Sequence, residues 1–253
     1  MNLKEWQSWY DRIIKTFGYD AKRDQYATEV LSRLLENTSI TRFQLKWKIY
    51  GKPTLVFGAG PSLEEDIKHL LASGLLDKFV LIAADGATTA LLEIAKTVPD
   101  IVVTDLDGRI NDLFRANVAG STMVVHGHGD NINLLQKYVP KYRDKIGTTQ
   151  TMPRPNVYNF GGFTDGDRAV FLASEMEAKA IVLAGMDFGQ SIGKYSKQKI
   201  KSLEVKKLKL NMGKELLEWL STKTRIPLYN ITTHGENITG FNNIIVDDIL
   251  KLV

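Results

Sequence analysis

Cysteine is absent from all 253 residues, which rules out disulfides, zinc–thiolate sites and thiol nucleophiles together. Also missing is any apolar run approaching the ~20 residues that a membrane-spanning helix requires. Residues 1–7, Met-Asn-Leu-Lys-Glu-Trp-Gln, lack the apolar stretch of a secretory signal. Neither sign of charge dominates. Lys and Arg number 33 against 29 Asp and Glu, a net +4, which slightly favours small anions and is too weak for a nucleic-acid surface. These absences point to a cytoplasmic protein that handles small molecules, with no nucleic-acid or membrane partner. What is present is ordinary for a globular chain: 43% hydrophobic and 25% charged residues, enough to bury a full core.

Residues 1–50 read as an N-terminal helical segment. Leu3, Trp6, Tyr10, Ile13, Ile14 and Phe17 fall on one helical stripe that Gly18 can close, and Tyr26, Val30, Leu31, Leu34 and Leu35 form a second. Trp6, Trp9 and Tyr10 crowd the first helix beyond what one stripe buries, which leaves room for a homodimer contact. From Lys52 the period changes. Short apolar runs at 54–57, 80–84, 101–103, 122–125, 157–160, 181–184 and 228–231 alternate with helix-length amphipathic stretches. That pattern predicts an α/β, Rossmann-like domain over 51–253, with a mostly parallel sheet of about six or seven strands and helices on both faces. Residues 191–214 carry eight lysines and read as a solvated helix face or loop, the tail from Leu208 to Leu220 being helical.

Asp105 and Asp107, in Thr104-Asp-Leu-Asp-Gly108, follow directly on the run Ile101-Val-Val103. Strand-end carboxylates sit where open α/β sheets bind ligands. Two acids this close repel unless a cation lies between them, and oxygen-only ligation suits Mg²⁺ bridging phosphate oxygens. Both are candidate metal ligands and catalytic residues. A solvated turn at a strand end is the bland alternative.

Four further segments sit at strand ends. Phe57-Gly58-Ala-Gly60-Pro-Ser62-Leu63 opens a helix whose free N–H groups could hold an anion, with Ser62 as its cap; Leu63 stands where a dinucleotide fingerprint has its third Gly. Asp85, in Ala84-Asp-Gly-Ala, could bind a ribose, join a phosphate and metal site, or merely cap a helix. His126-Gly-His128-Gly-Asp130-Asn131 is similar to the first metal motif of the metallo-β-lactamases, with Asn131 in place of a His and only His69 and His234 left to complete a dinuclear zinc site. The alternative is a loop whose glycines let it approach a nucleotide, with His128 or Asp130 reaching phosphates or metal. Asn159-Phe-Gly-Gly-Phe163-Thr-Asp165-Gly-Asp167-Arg168 combines glycines, paired carboxylates and an arginine able to fork onto phosphate. The bland alternative is that Asp165 merely caps the following helix and Asp167 complements its dipole. Thr148-Thr149-Gln150 and Arg154 lie in an adjoining loop with no role that the sequence defines.

In order and type, Ala84-Asp-Gly-Ala, Pro99-Asp-Ile-Val-Val-Thr-Asp105-Leu-Asp107 and Gly161-Gly-Phe-Thr-Asp165 resemble the motifs of thiamine pyrophosphokinases. Thr104, Gly108 and 163–166 depart from that pattern. The chain more closely resembles the archaeal-type 6-hydroxymethyl-7,8-dihydropterin pyrophosphokinases, whose G-x-G-P-S-L, A-D-G-A, V-T-D-L-D-G, H-x-H-G-D-N and G-G-F-T-D-G-D-R-A motifs stand here, in order, at 58–63, 84–87, 103–108, 126–131 and 161–169. The resemblance spans about residues 5–240. It implies transfer of the β,γ-diphosphate of ATP to the hydroxymethyl oxygen of the reduced pterin, releasing AMP. It also implies Mg²⁺ on Asp105 and Asp107, assistance from Asp85, Asp130, Asp165 or Asp167, and phosphate held by Arg168 and the turn at Ser62. Asn159, Phe160 and Phe163 are the candidates for a pterin slot. Motility-associated glycosyltransferases share the G-x-G-P-S-L turn, so a nucleotide-sugar transferase on the same core is the second enzyme reading. A nucleotide-binding regulatory module is the third.

Overall fold

The computed structural model describes residues 2–189, 191–196 and 202–252. Three helices come first: α1 (Leu3–Phe17), α2 (Ala21–Leu34) and α3 (Arg42–Ile49). α1 ends where expected, with Gly18 in the left-handed conformation donating its N–H to Ile14 O. The third helix was not legible from periodicity. It is set by a capping box in which Thr41 Oγ1 accepts from the Gln44 N–H and the Gln44 side chain accepts from the Thr41 N–H.

After these comes, among the described residues, a nine-stranded, wholly parallel sheet: β1 (Pro53–Phe57), β2 (Val80–Ala84), β3 (Ile101–Thr104), β4 (Thr122–His126), β5 (Lys145–Thr148), β6 (Val157–Tyr158), β7 (Ala180–Ala184), β8 (Leu228–Asn230) and β9 (Asn242–Asn243). The seven apolar runs all become strands. The two additional ones, β5 and β9, carry Lys145, Gly147 or paired asparagines where an apolar run was sought. Expected strand 157–160 shortens to two residues because Asn159 turns its side chain back on the loop, its Oδ1 accepting from the Gly161 N–H.

Helices α4 (Leu63–Ala72), α5 (Gly86–Ala90), α6 (Ile110–Val118), α7 (Ile132–Tyr138), α8 (Asp165–Glu175) and α9 (Leu203–Ser221) complete the fold. α9 begins five residues before the predicted Leu208. Of the eight lysines, 197, 199 and 201 lie outside the described residues.

The strand order is β6-β5-β4-β3-β2-β1-β7-β8-β9. The chain runs outward from β1 to one edge, then returns through α8 to place β7 on the other flank of β1. This is the topological switch point of a doubly wound sheet. Alternation within each strand divides the core. Val56, Ile82, Val103, Val124 and Ile181 face α1, α3, α8 and α9. Leu55, Phe57, Leu81, Ala83 and Val182 face α4 and α5, and Val102, Met123 and Val125 face α2, α6 and α7 on that same side. The α1–α2 hairpin therefore straddles the sheet, one helix on each face. Segments 1–50 and 51–253 share these cores, so the division at residue 50 is one of sequence pattern and not of packing.

The crowded aromatics of α1 are covered by the chain itself, which removes the reason given above for a dimer contact. Trp6 and Tyr10 are buried, and Trp9 packs on Trp219 of α9 with ring centroids 5.7 Å apart. No helix among the described residues is long and apolar enough to cross a membrane.

On the β7 side, buried Asp66 of α4 accepts from the Gly185 N–H (2.7 Å), the Thr233 N–H (3.1 Å) and the Thr233 hydroxyl (2.5 Å). Burial nonetheless pushes its carboxyl above the usual range. Asp66→Ala leaves these donors without their acceptor. The expected cost is ~1–3 kcal/mol in urea unfolding with an unchanged m value. A midpoint that does not move would show that solvent replaces the carboxylate.

Candidate active site

Strand ends and one helix start build the site. Asp85 closes β2 in an unfavourable backbone conformation (φ 22°). Its Oδ2 accepts from the Thr104 hydroxyl and the Gly108 N–H, both at 3.1 Å. A side chain at position 108 would overlap the Asp85 carboxylate, so only glycine permits this approach. Thr104 also accepts from the Leu106 N–H at 2.8 Å, while Leu106 takes a positive φ of 69° and buries its side chain. The tight turn leaves Asp105 facing Asp85.

The third carboxylate arrives from across the sheet. α8 packs over β1, β2, β3 and β7, and its first residue, Asp165, meets the other two. Oxygens of Asp85, Asp105 and Asp165 all lie within 4.8 Å of one another. Burial, then the negative charges of Asp105 and Asp85, push the Asp165 carboxyl well above its usual range. An all-oxygen set of three mutually repelling carboxylates fits a hard divalent cation such as Mg²⁺, whose charge would relieve the repulsion.

Around this trio the residues sort clearly. His128 Nε2 lies 3.4 Å from Asp105 Oδ2, and its Nδ1 accepts from the Asp130 N–H at 3.3 Å, which leaves Nε2 to carry the hydrogen toward Asp105. Asn131 ties the two loops, donating to Asp105 O (2.9 Å) and His126 O (2.7 Å). His126 is buried against His128. Burial and the nearby Arg168 hold it well below the usual imidazole range. The zinc alternative finds no support here, because His69 sits on α4 and exposed His234 lies beside Glu65, away from His126 and His128.

Other expected residues are placed differently. Asp107, expected as a metal ligand, is half-buried and is not one of the three grouped carboxylates, and the Asp130 side chain is exposed. Asp167 is fully buried and spent on local structure: it accepts from the Phe163 N–H (2.5 Å), the Thr164 N–H (2.8 Å) and the Thr164 hydroxyl, completing the capping box of α8. Of the two candidate catalytic carboxylates at this helix start, Asp167 caps the helix and Asp165 meets Asp85 and Asp105. Arg168, 1% exposed, donates to Gly162 O (3.2 Å) and Phe163 O (2.8 Å). It holds its own loop while lending positive charge to Asp165 and Asp105. Phe160 is buried in the main core and Phe163 packs on Phe17, centroids 4.9 Å apart, so neither ring lines an open slot.

The Gly58–Ser62 turn departs most from expectation. Ser62 makes no capping bond to α4. Its hydroxyl and N–H instead donate to buried Asp187, beyond β7. A Cβ at Gly60 would overlap that carboxylate, and one at Gly58 would lie 2.7 Å from Gly185 O. At the switch point the chain's own Asp187 therefore takes the Ser62 donors at this helix start. Nothing in the sequence marked Asp187. A Gly-x-Asp after an apolar run is the only signal, and several loops here carry a similar one.

The chain is an α/β protein with three convergent carboxylates at the carboxyl edge of a parallel sheet, an oxygen-only set that a hard divalent cation would fit. Within that class the chain belongs to the 6-hydroxymethylpterin diphosphokinase MptE-like family, whose model matches residues 28–193. It is 44% identical over 225 residues to the 6-hydroxymethyl-7,8-dihydropterin pyrophosphokinase of Methanothermobacter thermautotrophicus, covering 87% of this chain and 95% of that one. The proteins of the same name from Pyrococcus furiosus and Methanocaldococcus jannaschii are 48% and 43% identical, each alignment covering 89% of this chain and 96% or 98% of the relative. The MAf glycosyltransferase structure from Magnetospirillum magneticum AMB-1 aligns with a TM-score of 0.50 at 16% identity, over 85% of this chain and 38% of that one. That likeness is one of fold.

Asp165 has a folded-state pKa above its unfolded one. In the cation-free protein it therefore supports folding in acid and opposes it as pH rises through the raised range. Asp165→Asn is expected to melt higher than the parent at pH 8 without metal, by ~2–4 °C for each kcal/mol of repulsion removed. It should also lose the rise in Tm that MgCl2 gives the parent. Equal Mg²⁺ shifts in both proteins would exclude Asp165 from the cation site.

Proposed function

We propose that the chain transfers the β,γ-diphosphate of ATP to the hydroxymethyl oxygen of 6-hydroxymethyl-7,8-dihydropterin, with Mg²⁺ bound by Asp85, Asp105 and Asp165. The observation that carries this reading is the convergence of three carboxylates from β2, β3 and α8, in a chain related over nearly its whole length to proteins of that name. In the reaction the substrate hydroxyl oxygen bonds to Pβ, the bond from Pβ to the α-phosphate oxygen breaks, AMP leaves, and the hydroxyl proton passes to a base or solvent. A bound Mg²⁺ would neutralise polyphosphate charge in the transition state.

The chain's own part is positioning. Thr104 and Gly108 hold Asp85, the 104–108 turn aims Asp105, and the capping box on Asp167 fixes where Asp165 stands. His128 adds a hydrogen toward Asp105. Arg168 supplies positive charge from beneath and so opposes the spread of the trio. Because Asp187 fills the helix start at Ser62, the phosphates belong over β2, β3 and β4, on the side of the trio away from the switch point. Half-buried Asp107 and exposed Asp130, on the loops that follow β3 and β4, are the candidates to reach substrate. The substrates and the thiol-free composition fit a cytoplasmic enzyme.

Mixing protein, ATP, MgCl2 and reduced hydroxymethylpterin should yield AMP and the pterin-methyl diphosphate in equal amounts. Asp105→Asn is expected to lower kcat by on the order of 10²–10³ without loss of folding. ADP as the nucleotide product, or turnover only with a nucleotide sugar, would replace this assignment with another transferase.

A further inference from the structure

Directly behind the His126–Asn131 loop lies the α1–α2 hairpin, of which α1 and the first half of α2 lie outside the 28–193 segment that the family model matches. Its contacts with the loop are specific. Asp24, buried on α2, accepts the Gly129 N–H at 2.7 Å through Oδ1 and the Tyr10 hydroxyl at 2.9 Å through Oδ2. Arg23 donates to Gly129 O at 3.0 Å. Both backbone polar groups of Gly129 are thus held by consecutive residues of α2. Tyr10 belongs to α1 on the other face of the sheet, and burial followed by the Asp24 charge raises its phenol above the ordinary range.

The loop's glycines answer to the same helix. A Cβ at Gly129 would lie 2.8 Å from Arg23 Cβ, and one at Gly127 would lie 3.2 Å from Leu31 Cδ2 and 3.4 Å from Ala27 O. These glycines admit α2, where the sequence suggested a nucleotide. A second strut joins α1 to the loop: the Trp6 Nε1–H donates to Gln150 O at 2.8 Å, and the Gln150 amide lies 3.2 Å from His126 Nε2. On the opposite side of Gly129 stand His128, facing Asp105, and Asn131, bonded to Asp105 O.

We infer that Asp24 is a positioning residue for the cation site: by fixing the Gly129 peptide, with Tyr10 behind it, it sets where His128 and Asn131 hold Asp105. This rests on the proposed cation role of the trio. Groups that orient metal ligands from behind typically matter by ~10–100-fold in metal affinity or activity.

The test uses the full chain, with the EPR signal of free Mn²⁺ as a binding probe independent of turnover. Asp24→Ala is expected to weaken Mn²⁺ binding, and to raise the MgCl2 concentration for half-maximal AMP formation, by on the order of 10-fold. Asp24→Asn keeps an acceptor for Gly129 and can bond the Tyr10 oxygen through its amide, so it should return both values to within ~3-fold of the parent. Val30→Ala, which removes buried apolar surface from the same helix and makes no bond to the loop, should lower Tm while leaving Mn²⁺ binding unchanged. Tyr10→Phe should shift binding in the same direction as Asp24→Ala and by less, and it serves if Asp24→Ala does not fold. Parent-like Mn²⁺ binding in Asp24→Ala with a lowered Tm, or equal weakening by Val30→Ala, would overturn the inference and leave Asp24 a structural residue. Asp24-dependent Mn²⁺ binding in a parent that makes no AMP would keep the inference and remove the kinase reading instead.

Discussion

Repulsion among Asp85, Asp105 and Asp165 is the constraint around which the carboxyl edge of this sheet is arranged. Three carboxylates whose oxygens approach within 4.8 Å do not stay together by themselves. They are held by structure that cannot easily relax: a strained backbone at Asp85, a left-handed residue at Leu106, a glycine at 108 with no room for a side chain, and a helix start pinned by the Asp167 capping box. Each device costs stability locally, which is the usual sign of a site shaped for a ligand instead of for folding. The buried guanidinium of Arg168 lends charge without touching solvent, and a divalent cation would complete the balance.

The same edge shows a division of labour. Near the switch point the chain seals itself: Asp187 occupies the helix start at Ser62, and Asp66 ties Gly185 to Thr233. Further along, from β2 to β4, the edge keeps its acidic groups and its histidine. A parallel sheet offers every strand end to the same side, and local packing decides which of them remain open. Here Asp187 engages the helix start that usually takes a nucleotide in doubly wound folds, and the three carboxylates converge further along the edge. The N-terminal hairpin, with one helix on each face, bonds the histidine loop from behind through Asp24 and Arg23.

Much of the fold was readable because the physical signals were strong and local. Runs such as Ile101-Val-Val103 and Ile181–Ala184 are buried on both faces, so they read as continuous apolar strands. Lys145–Thr148 and Asn242–Asn243 escaped because a strand needs only backbone partners, which Met123 to His126 and Tyr229 to Asn230 supply. Four of the five motifs lie on the loops that bring Asp85, Asp105, His128 and Asp165 together, while the 58–63 turn engages Asp187 instead. They did not say which carboxylate faces inward. Asp165 and Asp167 are chemically identical and two residues apart, and only the hydrogen-bond geometry of one helix start separates them.

Composition and pattern alone determined that this chain is a thiol-free, doubly wound α/β protein with acidic loops at its strand ends, because burial and turn formation are written residue by residue. Motif order went further and pointed to the diphosphokinase family. Tertiary structure alone decided that Asp85, Asp105 and Asp165 meet while Asp107 and Asp130 lie outside, that Asp187 fills the anion site of the glycine turn, and that Asp24 of the N-terminal hairpin grips the histidine loop. Those facts depend on contacts between residues as many as 125 positions apart. No local preference encodes such a distance; it emerges only when the sheet and its helices pack.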